Sequence, residues 1–280
     1  VHPMFSLWGL KEDNDAVRGE GCFDMVMQKM DMLREAGVFF GASITATSKS
    51  CDEVTSDEFM KMLSDKGCLW SWFFHYVPVG DSPDVSLVPN AKQRQQILKA
   101  VYNARNTLPM MTVDFWGDGP EMMGCIAGGR QYVHVNPNGD VEPCTFVHLA
   151  THNVKNCTLT EALAAPFMKA IRDGIPYEDG NMLRPCMIVD RPDVLRKYYQ
   201  EFKPYETHEN AAAYLTDPKI TSEIDKYSEE VKEILDEDWR NNLWMTIFPL
   251  EGEYYVDRDN FCSREKPKHK CSGHCAGCGK

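Results

Sequence analysis

This sequence predicts an α/β fold that leads into a small α+β segment and then a helical C-terminal region, on three observations. Strand-like and helix-like patterns alternate over residues 1–120, the signature of consecutive βα units. A hairpin pattern lies between Cys125 and Cys144. Helical periodicity dominates from Pro192 to about Trp239.

Met4 to Trp8 reads as the first strand. Gly21 to Ala36 reads as a helix with Phe23, Val26, Met27, Met30 and Leu33 on one face, and Gly37 is placed to end it. Val38 to Thr47 supplies the next strand, on which Ser43, Thr45 and Thr47 alternate with Ala42, Ile44 and Ala46 and so share a face. Thr55 with Glu58 predicts a capping box for a helix carrying Phe59, Met60 and Leu63. Leu69 to Val77 is a bulky strand, Ala91 to Asn106 a helix with Ile97, Leu98, Val101 and Tyr102 as its stripe, and Met110 to Trp116 a last strand. Tyr132 to Val135, the Asn138-Gly139 turn and Val141 form the hairpin. Thr158 and Glu161 then cap a helix bearing Leu159, Leu163, Phe167 and Ile171. Ile224, Tyr227, Val231, Ile234 and Leu235 mark the clearest apolar face further on, and the stretch from about Glu251 is charged and cysteine-rich.

With 280 residues and 43% hydrophobic content, the chain can build a real core. Its net charge of −12 argues against a nucleic-acid backbone as partner. No apolar run reaches the roughly 18 residues of a membrane span, so the expectation is a soluble, cytoplasmic protein with no membrane partner. Eleven cysteines on a chain with long regular elements fit metal or cluster binding in a reducing compartment better than a disulfide scaffold. The start at Val1-His2-Pro3, without an initiator Met and directly before a strand, reads as a fragment or a processed product.

The hairpin brings its flanks together, so Cys125 and Cys144 are candidates to share a metal; the bland alternative is a pair of buried thiols. The segment CIAGGRQYVHVNPNGDVEPC, with its Gly-x4-Cys ending in Pro-Cys, resembles the opening of the SPASM and twitch domains. Those domains hold auxiliary iron-sulfur clusters in radical S-adenosylmethionine (radical SAM) enzymes. Leu183-Arg184-Pro185-Cys186 is similar to a further ligand position, whereas the dense later cysteine block of a full SPASM domain is missing after Cys144.

The first half carries the same resemblance. Ser6-Leu7-Trp8-Gly9, followed by Arg18-Gly19, is similar to the segment in which a Ser meets the ribose and an Arg the methionine carboxylate of S-adenosylmethionine. A solvated Arg18 and a strand-end Ser6 are the plain alternatives. Ser43 and Thr45 would line a wet cavity, and Tyr76, with Pro78 and Gly80, resembles the segment that approaches the adenine. The resemblance implies the C-terminal half of a partial (β/α)6 TIM-like barrel over 1–120, an auxiliary cluster domain over 121–195, a helical extension over 196–245 and a Cys-rich tail over 246–280. It implies a [4Fe-4S] cluster, S-adenosylmethionine, oxidoreductase-type radical chemistry on a peptide or small molecule, and an electron donor such as a flavodoxin or ferredoxin. The family's Cys-x3-Cys-x2-Cys loop would precede Val1, so this chain alone is expected to cleave S-adenosylmethionine poorly.

Cys271-x3-Cys275-x2-Cys278 repeats that spacing at the opposite end of the chain. With Cys262 it suits an iron-sulfur cluster or tetrahedral zinc, His269 and His274 keep a mixed zinc site open, and a flexible thiol-rich tail without a metal is the plain alternative. Cys22 and Cys68 read as packing residues, Cys51 and Cys157 as loop residues with Cys157 a fallback ligand, and His75 as a structural histidine. The competing function is a non-enzymatic iron-sulfur or zinc protein for electron transfer or partner binding.

Overall fold

The computed structural model describes residues 2–80 and 83–241; Cys262, Cys271, Cys275 and Cys278 lie outside the described residues. Four strands form a parallel sheet in the order β1 (Met4–Leu7), β2 (Gly41–Ala46), β3 (Trp70–His75), β4 (Met111–Asp114). Between them run α1 (Lys11–Arg18) and α2 (Cys22–Glu35), then α3 (Cys51–Val54) and α4 (Asp57–Asp65), then α5 (Ala91–Thr107). Parallel pairing demands such crossovers, and each returns a helix to the sheet.

The register sorts the side chains onto two faces. Leu7, Ile44 and Phe73 stand side by side and are fully buried, in a core with Met30, Phe59, Leu63, Ile97 and Val101 from the helices. Full burial of each such side chain contributes about 1.5–3 kcal/mol. On the other face Ser6, Ser43, Trp72 and Val113 align, with Thr45 and Phe74 next in register. This face is partly open: Trp72 is 39% exposed and Met111 61%.

After α6 (Gly119–Met122) comes the expected hairpin, with β5 (His134–Val135) antiparallel to β6 (Val141–Glu142) and Gly139 at φ 90° in its turn. A short strand β7 (Leu149–Ala150) follows, then α7 (Leu159–Ala164), α8 (Pro166–Asp173) and α9 (Pro192–Phe202). The strand β8 (Tyr205–Glu206) returns to pair with β7 before α10 (Ala213–Thr216) and α11 (Pro218–Arg240).

Several expectations need correction. The capping residue of α4 is Ser56, which accepts from Phe59 N–H; Thr55 instead donates its hydroxyl to the Cys51 carbonyl. The helix capped by Thr158 stops at Ala164, because Pro166 cannot donate within it and opens a new helix. Lys11–Arg18 is an additional helix, Cys51 opens α3 rather than lying in a loop, and the region after Pro192 is broken by the β8 strand. Thr47 leaves the hydroxyl strip: it is buried in a turn where its hydroxyl accepts from Ser50 N–H at 3.1 Å. Among the described residues no helix is long and apolar enough to cross a membrane.

Candidate functional site

Cys125, Cys144 and Cys186 line one cavity of about 550 Å³ beside the edge strand β4. Its wall is apolar and aromatic, with Trp72, Phe115, Trp116 and Phe146 among the lining residues, and Arg105, Asp118 and Glu121 supply charge. The volume suits a small ligand or one large side chain. The hairpin delivers Cys144 directly after β6, and Cys125 precedes β5, so a local turn carries two of the thiols.

Each sulfur meets backbone amides shortly after it in sequence. Phe146 N–H points at the Cys144 sulfur at 3.5 Å, while Val147 N–H donates to the Cys144 carbonyl at 3.0 Å. Cys125 is met by Ala127 N–H, and Cys186 by the amides of Ile188 and Val189 and the Trp116 side chain. Tyr132 donates its hydroxyl to the Cys144 sulfur at 2.8 Å. Successive N–H groups of this kind form anion-receiving nests. Burial nevertheless dominates and pushes all three thiols up, Cys186 to about 12, so without a metal they stay protonated.

The Cys186 loop is tied to the sheet unit by buried charge. Arg94, on α5, pairs with Asp190 and donates to the Leu183 carbonyl at 3.0 Å. Asp190 accepts in turn from Cys186 N–H at 3.0 Å. Burial pulls the Arg94 pKa down, and Asp190 more than offsets it. These residues escape sequence reading because Arg94 and Asp190 are 96 positions apart.

His75 is buried as expected and stacks on Trp116 at 4.9 Å. Its Nε2 lies 3.1 Å from Asp114 Oδ1, too poorly aligned for a hydrogen bond. Burial alone would raise the Asp114 carboxyl; the facing imidazole and the Gly117 and Trp116 amides hold it below the usual carboxylate range.

The sheet brings Ser6 and Ser43 into register with Thr45 two residues on, all on the open face. Trp8 N–H donates to the buried Asn14 at 3.2 Å, and Leu10 N–H to Glu53, which fixes the chain leaving β1. Gly9 sits there at φ 139°, where a Cβ would lie 2.6 Å from Glu53 Oε1. Arg18 is exposed at the end of α1. Tyr76 follows β3, and its hydroxyl accepts from Asp84 N–H at 3.4 Å. Cys157 packs with Val141, Ala162 and Met168, not in the cavity.

Among the described residues no three His, Cys, Asp or Glu side chains are grouped to hold one metal ion. The hydroxyl of Tyr214 is buried without a hydrogen-bond partner.

No family model matches the chain. Over 174 residues it is 25% identical to the AdoMet-dependent heme synthase of Nitratidesulfovibrio vulgaris, covering 53% of this chain and 47% of the relative. Over 145 residues it is 31% identical to the mycofactocin maturase MftC of Mycolicibacterium smegmatis, covering 48% of this chain and 36% of that protein. The chain thus spans about half the length, or less, of these curated relatives. Among solved structures, native anSMEcpe with bound AdoMet and Cp18Cys peptide superposes with a TM-score of 0.51 at 13% identity, over 80% of this chain and 69% of that one; this likeness is one of fold. The chain is thus similar to AdoMet-dependent proteins over about half of its length and shares a parallel α/β fold with an AdoMet-bound structure. These findings bear out the resemblance to radical SAM enzymes, a family that carries a [4Fe-4S] cluster and S-adenosylmethionine.

Proposed function

We propose that this chain is part of a radical SAM enzyme acting on a peptide, and that Cys125, Cys144 and Cys186 hold an auxiliary iron-sulfur cluster against the substrate cavity. The observation that carries this is the meeting of three amide-backed thiols around one apolar space. Thiolates select iron-sulfur groups or zinc. An iron-sulfur cluster spreads its thiolates over separate iron atoms, which suits three cysteines lining one cavity. The Tyr132 hydroxyl would then donate toward cluster-bound sulfur. When bound, such a group supplies one-electron transfer or an iron site for substrate.

The open face of the sheet supports the cofactor half of the reading. A parallel sheet ordinarily has both faces covered; here Ser6, Ser43 and Thr45 make a polar strip beside Trp72 and Phe74. Their hydroxyls suit a ribose, with Tyr76 near the adenine and Arg18 offered to the methionine carboxylate. The sheet would be the second half of a partial barrel. A peptide substrate draws support from the anSMEcpe complex, which holds AdoMet and a peptide on a similar fold, and from a cavity large enough for one bulky side chain.

The test is iron and acid-labile sulfide per chain after anaerobic purification of Cys125→Ser, Cys144→Ser, Cys186→Ser and Cys157→Ser. The first three are expected to lose a cluster's worth of both and the fourth to keep it. Equal content in all four would end the assignment.

A further inference from the structure

Four residues after Cys144, His148 leads into β7, and His208 lies two residues beyond β8. Pairing of these strands, with Leu149 opposite Glu206, brings the two rings together, and Thr207 N–H donates to the His148 carbonyl at 3.1 Å. His148 Nδ1 faces His208 Nε2 at 2.6 Å. The outer nitrogens are both engaged: His148 Nε2 lies 2.9 Å from the Thr145 carbonyl oxygen, and His208 Nδ1 lies 2.8 Å from that of Glu209.

A carbonyl oxygen only accepts, so each outer nitrogen carries the ring proton. In neutral imidazoles both inner nitrogens are then bare lone pairs. Two lone pairs aimed at each other at this distance repel, unless an electrophile joins them. An imidazole whose far N–H rests on a backbone carbonyl is also the arrangement that fixes tautomer and orientation in metal-ligating histidines.

We propose that His148 and His208 form a two-imidazole site for a divalent transition-metal ion of the zinc, nickel or copper kind. Metal-nitrogen bonds of about 2.0–2.1 Å in tetrahedral geometry hold two nitrogens roughly 3.3 Å apart. The rings therefore need to separate by less than about 1 Å, which two half-buried side chains on a short strand pair accommodate. Solvent reaches the pair, so water completes the coordination. The net charge of −12 favours cation uptake. The site shares no residue with the cysteine cavity and stands or falls apart from it.

The probe is Ni2+, titrated calorimetrically into the full chain carrying its iron-sulfur complement under anaerobic conditions, for wild type, His148→Gln and His208→Gln. Because cysteines elsewhere also bind Ni2+, the readout is the difference. Each variant is expected to lose one equivalent, or to bind it at least tenfold more weakly, with an unchanged circular-dichroism melt. As a measurement that needs no variant, Ni2+ is expected to protect both His148 and His208 of the wild type from diethylpyrocarbonate, mapped by mass spectrometry. Identical titrations in all three proteins, a loss in one variant alone, or failure to protect both rings, as a shared proton would give, overturns the proposal.

Discussion

Replacing Arg94 with Met while leaving Asp190 in place tests how the Cys186 loop is held. The two side chains are 3% and 0% exposed, and the carboxylate also receives Cys186 N–H. Removing one partner leaves an uncompensated buried charge, which costs about 3–5 kcal/mol. The Leu183 carbonyl loses its donor as well. Asp190→Asn strands the guanidinium by the same logic but keeps an acceptor for Cys186 N–H. The double variant has no buried charge left at the pair, so its cost should fall below the sum of the single costs by at least about 2 kcal/mol. Guanidinium denaturation followed by tryptophan fluorescence measures all four corners of the cycle. Iron content should fall in Arg94→Met, since the Cys186 loop is no longer tied to α5. A single-variant cost below about 1 kcal/mol, or a coupling under about 0.5 kcal/mol, would refute the reasoning.

Gly119→Ala places a Cβ 2.0 Å from the Met182 carbonyl oxygen, a backbone atom with little room to move; a loss of about 1–3 kcal/mol or more is expected in the same denaturation assay, and no loss would mean that the segment before the Cys186 loop is loosely packed. The Asp118 carboxyl is pushed up to about 6, chiefly by burial, with Asp114 adding and Arg105 opposing. Its folded pKa therefore exceeds the unfolded one, the native state holds the extra proton between about pH 4 and 6, and stability relative to Asp118→Asn should fall by up to about 3 kcal/mol as pH rises through that window. Denaturation at several pH values checks the sign, and a rise would contradict it. Tyr132→Phe removes the hydroxyl on the Cys144 sulfur and the acceptor for Thr145 N–H; the metal-free chain should lose about 1–2 kcal/mol. In the loaded protein the loss of a donor to sulfur should make the reduction potential more negative by voltammetry.

What was legible in the sequence was local. The hairpin could be read because Asn138-Gly139 dictates its turn, and Thr158-Glu161 because a capping box spans one helical turn. The alternation of Ser43 and Thr45 with Ala42 and Ile44 gave the correct face of β2, since a strand's period is fixed at two. Thr55 misled because Ser56 beside it offers the same chemistry, and only the entry angle of the chain selects between them. Thr47 misled because the strand ends one residue earlier. Arg94 and Asp190, which hold the Cys186 loop, are joined only by tertiary packing, and no spacing rule connects positions so far apart. The amide nests were invisible for another reason: backbone N–H groups have no letter in the sequence.

That anonymity has a consequence for how the chain can vary. The amides facing the three sulfurs belong to the main chain at Ala127, Phe146, Ile188 and Val189, so exchanging their side chains leaves the donors in place. Proline is the exception, because it alone lacks the N–H. Ala127, Ile188 and Val189 are also buried, so a substitution library should keep apolar residues of similar size there, and proline should be lost even where its size would fit, a vulnerability of the sulfurs that side-chain comparison alone does not reveal.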